Sequence, residues 1–167
     1  MARTKITIKL NPKDIDRAIR EVKAFKKEFI RKCEQLVETL TEYGAEVARL
    51  QIKQLDAVYT GELMNSIEGY YSPTSQVGII KADTLYAAYV EFGTGVVGKS
   101  SPHPDPQGWV YDVNKHGEKG WVYYDENLGA FVRTKGFKSR PFMHNTARQL
   151  EKECARIAEE VFNRGRH

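Results

Sequence analysis

At 167 residues, with 41% hydrophobic and 29% charged side chains, the chain has room for one globular domain with a sizeable core and not for two. Lysine and arginine number 26 against 22 aspartate and glutamate, a mild +4 balance with a pI near 9.0 and no clustered basic tract of the kind that binds nucleic acid. No apolar run approaches the roughly 18 residues of a membrane span, and Met1-Ala-Arg-Thr-Lys5 lacks a signal peptide's apolar segment, so synthesis inside the cell is expected.

In chain order, Thr4–Leu10 alternates Ile6, Ile8 and Leu10 with polar neighbours and predicts a short strand. Asn11, Pro12 and Asp14 then supply a cap, a first-turn proline and an acid for the positive end of a helix. Ile15, Ile19, Val22, Phe29, Cys33, Leu36, Leu40, Tyr43 and Val47 recur at gaps of mostly three and four, predicting an amphipathic helix over 12–55. Gly44 is a candidate kink. So long a helix exceeds the needs of one small core, which points to packing against another subunit, although an intramolecular hairpin would also bury its stripe.

Residues 66–92 are expected to form the sheet core: Ser66–Tyr71 and Gln76–Ala82 read as strands joined by Ser72-Pro73-Thr74-Ser75. Leu85–Phe92 fits a strand or one face of a helix, and so short a run does not separate the two. Residues 93–140 read as a loop and an inserted aromatic hairpin. Gly93–Gly108 is a loop by composition, Trp109-Val-Tyr111 opens the aromatic part, and Glu126–Gly129 turns between Trp121–Tyr124 and Phe131–Arg133. Pro141 opens a last helix over 141–162, with Ala147, Leu150, Cys154, Ile157 and Val161 on one face. The fold class is therefore α+β: long N-terminal and C-terminal helices on a small, mostly antiparallel sheet, with the hairpin as an insert. Cys33 and Cys154 are expected to be small core residues, and neither they nor His103, His116, His144 and His167 have ligand spacing. No metal or cofactor is expected.

Gly93–Ser100 matches the phosphate-loop pattern G-x-x-x-x-G-K-S/T letter for letter, and Gly93, Gly95 and Gly98 overlap it with G-x-G-x-x-G. Such a loop works by opening a helix at its lysine, so that backbone N–H groups and the helix end meet phosphate. Pro102, Pro104 and Pro106 prevent a helix from opening downstream of Lys99. The acid-ended string Trp121–Asp125 follows too closely for a crossover of about 30 residues. A flexible Gly-rich exit loop is the expected form.

Three strings stand in order: Thr60-Gly61-Glu-Leu63-Met-Asn-Ser66-Ile67; Tyr86-Ala-Ala-Tyr89-Val-Glu91-Phe92-Gly93-Thr94-Gly95; and Thr134-Lys-Gly136-Phe-Lys-Ser-Arg140-Pro141-Phe142-Met143. With the long first helix, they resemble the neck or tail-completion (head–tail joining) family of long-tailed double-stranded DNA bacteriophages, over roughly Leu10 to Val161. The family pattern is T-G-x-L-x-x-S-I, then Y-A-x-Y-V-E-F-G-T-G, then R-P-F-M at the last helix. This chain departs from it at Asn145-Thr146, where Pro-Ala is common, and at Ser139, where Ala or Pro is frequent.

The resemblance implies a non-enzymatic virion assembly protein, a homo-oligomeric ring that completes the tail or joins it to the head. Its partners would be head-connector and tail proteins, its location the neck or tail of the virion, and DNA would only pass through the ring. The candidate signature or interface residues are Tyr86, Tyr89, Glu91, Phe92, Gly93, Thr94, Gly95, Trp109, Trp121, Arg140, Pro141 and Phe142. Each serves equally well as a fold determinant or as a contact residue. Glu91, set among apolar neighbours, is expected to face solvent or a cation, with Arg140 as candidate. Phe142 is expected to pin the last helix to the sheet. The competing functions are a nucleotide-binding enzyme using Gly93–Ser100 and a basic DNA-binding module using the exposed aromatics. Ser66, Ser100 and Ser139 have no His–acid partner nearby in sequence.

Overall fold

The computed structural model describes residues 11–112 and 115–164. The expected strand Thr4–Leu10 and the tail from Gly165 lie outside the described residues. Helix α1 runs over Pro12–Gln54, and Asn11 accepts the Asp14 N–H at 3.0 Å as its cap. At about 1.5 Å per residue it is about 65 Å long. It is continuous through Gly44, so the helix is not split there. The reason for a glycine is proximity: a Cβ at Gly44 would collide with Ile80 and meet Leu150 at 3.0 Å.

Helix α2 (Glu62–Asn65) leads into the antiparallel hairpin β1 (Ile67–Ser72) and β2 (Val77–Ala82), with Ile67 opposite Ala82 and Ser72 opposite Val77. The hairpin lies along the middle of α1, where Gly69 and Gly78 rest on Thr41. Leu85–Phe92 resolves as helix, α3 (Ala87–Phe92), and the expected sheet core therefore ends at Ala82. Ala87 and Glu91 are buried while Tyr89 between them is exposed, which is a helical pattern; a strand would place all three on one face. Helix α4 (Gly95–Ser100) occupies part of the stretch expected to be loop. The aromatic insert forms as an antiparallel hairpin, β3 (Trp121–Asp125) with β4 (Ala130–Thr134), separate from the first pair. The fold is thus α+β, with two small antiparallel sheets rather than one.

Helix α5 (Phe142–Asn163) runs antiparallel to α1. Asn145 bonds Gln51 near its start, Gln149 bonds Tyr43, and Phe29 packs on Phe162 near its end. The Lys32 ammonium closes α5, donating to the carbonyls of Val161, Phe162 and Arg164 at 2.9, 3.2 and 2.7 Å. A cation on orphan carbonyls also suits the negative end of the helix dipole. The core gathers Ala45, Ala48 and Ile52 of α1 with Leu63, Ile67, Ala87 and Phe142. Phe142 is only 1% exposed, as its expected anchoring role requires. Cys33 is half-buried and Cys154 is exposed, so neither is the core residue expected; both are free thiols.

Because α5 reaches back only to Phe29 and Lys32, the first half of α1 extends beyond the body. There Ile15, Ile19, Val22, Phe25, Phe29 and Ile30 are 40–57% exposed. Among the described residues before Phe29 only Ala18 is buried, so the apolar side chains of the stripe read from the sequence stand largely exposed there.

Candidate functional site

Residues of all three strings line one groove of about 860 Å³ at the C-terminal end of α1. The chain leaving α1 provides Asp56–Met64, α3 and its flanks provide Tyr86, Tyr89, Val90 and Thr94, and the third string provides Thr134, Phe137 and Arg140. Tyr111, His116, Trp121, Tyr123 and Asp125 close the other side from the insert. Four carboxylates, those of Asp56, Glu62, Asp112 and Asp125, stand against the single guanidinium of Arg140. The walls are otherwise mostly aromatic and aliphatic.

Two phenols set the groove's polar geometry. The Tyr59 hydroxyl donates to Asp125 Oδ1 at 2.6 Å, joining the α1–α2 connection to the end of β3. The same oxygen accepts the N–H groups of Asn127 and Leu128 at 3.0 and 3.1 Å. The Tyr59 phenol first, then the Leu128 N–H, hold the Asp125 carboxyl below the usual carboxylate range. The reciprocal hydrogen bond is the main cause raising the Tyr59 phenol. On the opposite rim the Tyr86 hydroxyl meets Glu62 at 3.2 Å; burial, followed by the Glu62 charge, raises that phenol. Thr94, at the back, has a buried hydroxyl with no hydrogen-bond partner among the described residues.

Behind the groove, Glu91 is 5% exposed and carries the junction of the second and third strings. Its carboxylate accepts the N–H groups of Met143 at 2.8 Å and His144 at 2.9 Å, capping α5 where Pro141 offers no side-chain cap. Its Oε1 also meets His103 Nε2 at 3.0 Å, while His103 Nδ1 accepts the Asp105 N–H at 2.9 Å. The expected pairing of Glu91 with Arg140 does not form. A carboxylate at the positive end of a 22-residue helix, facing two free N–H groups, is better satisfied there than by one cation. Arg140 instead donates through Nε to the Leu55 carbonyl at 3.2 Å and lies over the Phe137 ring.

The other expected residues divide by position. Phe92 stacks on Trp109 (centroids 4.8 Å apart) and packs at a tilt against His103 (4.5 Å), and Tyr89 meets the edge of Trp109. Trp109 Nε1 donates to the Gly93 carbonyl at 3.0 Å. Trp121 stacks on His116 at 5.4 Å in the groove. Gly93 and Gly95 adopt φ of +80° and +62°, and Gly95 bridges Gly136 so closely that a Cβ would strike the Lys135 carbonyl. Glu91, Phe92, Gly93, Gly95, Pro141 and Phe142 are therefore framework, whereas Tyr86, Tyr89, Thr94, Trp121 and Arg140 present surface to the groove. Sequence reasoning gave Tyr59 no role, and it set aside His103 as a metal ligand and Asp125 as a nucleotide-site acid without foreseeing their structural contacts. Only the proline-flanked position of His103 offered any local signal.

Gly93–Ser100 has the reverse of phosphate-loop geometry. Lys99 and Ser100 sit in the last turn of α4, and Ser100 Oγ donates to Val97 O. The N–H groups of Gly93, Gly95 and Val97 are already bonded to the carbonyls of Tyr89, Tyr111 and Lys135. Ser66 Oγ and Ser139 Oγ likewise donate to backbone carbonyls, of Leu63 and Glu91. At the start of α5, Asn145 reaches Gln51, and Thr146 donates back to the Phe142 carbonyl. The groove's carboxylates would repel nucleic-acid phosphate, and the two tryptophans stack on protein rings. Among the described residues no group of three or more His, Cys, Asp or Glu is placed to hold a metal ion, and no helix is long and apolar enough to cross a membrane. The outer face of the insert carries Val122, Tyr124, Leu128 and Phe131, all more than half exposed. No protein-family model, curated protein or solved structure matches the chain.

Proposed function

We propose that this protein is a virion assembly part of a long-tailed bacteriophage. It would form a ring at the head–tail junction that completes the tail or joins it to the head, without catalysing a reaction. The observation that carries this reading is the convergence of the three strings. Thr60–Ile67, Tyr86–Gly95 and Thr134–Met143 meet in one wall, with Glu91 tying the second to the first turn of α5. That the three strings carrying the resemblance lie together in the fold, rather than scattered over it, supports reading them as one unit.

The exposed stripe of α1 and the apolar face of the β3–β4 hairpin supply the contact surface that ring formation needs. Monomeric proteins rarely expose contiguous apolar patches of this kind. Closing a ring lets modest contacts add up, because each subunit is held from two sides. Head-connector and tail proteins are the partners for the two faces of such a ring, and DNA would pass through its centre. Light scattering on the purified chain tests this. A mass several times the 19.1 kDa of one chain, constant over a wide dilution range, is expected; a monomer at every concentration would overturn the reading.

A further inference from the structure

Two unpaired surfaces lie at opposite ends of the molecule. One is the projecting half of α1, whose residues 13–31 carry seven Lys or Arg against four Asp or Glu around the exposed apolar stripe. Arg17 and Arg31 are paired with acids on their own helix, and among the described residues Arg20, Lys23, Lys26 and Lys27 have no acidic partner. The other is the groove, whose walls are tyrosine-rich and whose charge is acidic by four carboxylates to one guanidinium. Tyrosine and arginine are enriched where proteins meet. The Thr94 hydroxyl at the back of the groove is a buried polar group that has no partner among the described residues.

The two surfaces cannot meet within one chain. About 50 Å of continuous helix separates Val22 from Leu55, where the groove begins, and α1 has no break along that length. We propose that the basic apolar stripe of α1, centred on Val22 and Phe25, docks in the acidic groove of a second copy. Opposite charge selects the groove and sets the orientation, and burial of the stripe supplies the affinity. The contact joins two different surfaces, so it is heterologous: each copy gives a helix to one neighbour and receives one from another. Repetition produces a ring when the rotation closes. This inference rests on the ring reading and specifies its contact.

Two full-length variants test it, both altering exposed positions. The helix variant is Val22→Glu with Phe25→Glu; the groove variant is Glu62→Arg with Tyr86→Arg. Circular dichroism and thermal melting should match the parent chain for both. Each variant alone should run at the mass of one chain in light scattering. Mixed in equal amounts, they should form a two-chain species and nothing larger, since one intact groove receives one intact helix and both remaining surfaces are disabled. A groove variant that assembles like the parent, or a mixture that stays monomeric, overturns the helix-in-groove contact while the ring reading stands. A parent chain that is itself monomeric overturns both.

Discussion

Glu91 shows how much one buried carboxylate holds in this fold. It satisfies two N–H groups at the start of α5 and one nitrogen of His103, in a site with little access to water. Removing one member of a buried, hydrogen-bonded charged set leaves the others unmatched, at a cost of about 3–5 kcal/mol. Glu91→Ala should therefore lower the midpoint of thermal unfolding by roughly 10 °C, given roughly 2–4 °C per kcal/mol for a chain of about this size. Glu62→Ala, on the exposed groove rim, should stay within about 0.5 kcal/mol of the parent. Equal losses in calorimetry for the two variants would contradict the capping role. The sequence marks Glu91 by its apolar neighbours. It does not reveal the partner, because Met143 and His144 lie more than fifty residues away.

Among the elements, the hairpin β3–β4 is held over the groove through Tyr59 and Asp125, and that attachment depends on pH. The Asp125 carboxyl is depressed in the folded protein, so its contribution is fully present above the unfolded carboxyl value of about 3.9. It is lost as the pH falls through the folded value below that. The Asn127 and Leu128 N–H resonances, whose protons the Asp125 carboxylate accepts, should hold their positions from about pH 5 down to about 4 and shift below it. In Asp125→Asn that low-pH step should be missing; a step of the same size would show that another group controls the hairpin. The elements differ in how far they were legible. Helix α1 was plain, because Asn11 and Pro12 mark its start and its apolar period runs for many turns. The two hairpins were plain from their turn residues. Leu85–Phe92 stayed ambiguous because six helical residues do not complete two turns. Helix α4 was missed because it is set by long-range contacts: the bridges of Thr94 to Phe137 and Gly95 to Gly136 position its start. The Tyr59–Asp125 link spans 66 residues and leaves no local trace.

At the scale of the whole molecule, the design is polar in the geometric sense. A basic apolar rod projects from one end, an acidic aromatic groove opens at the other, and a single α5 joins them through Lys32 and Glu91. The long helix of the sequence had two explanations, a subunit contact or a hairpin within the chain. Among the described residues α5 packs on the part from Phe29 onward, and Ile15, Ile19, Val22 and Phe25 before it stay 42–57% exposed. The phosphate-loop letters lose their meaning at this scale too, since Gly93–Gly95 serves as the brace between α3 and the third string. The central claim is that identical chains close into a ring. Electron microscopy of the purified assembly tests it most directly: the account predicts a closed ring of one rotational symmetry with an open centre, and single chains or isolated two-fold dimers would contradict it.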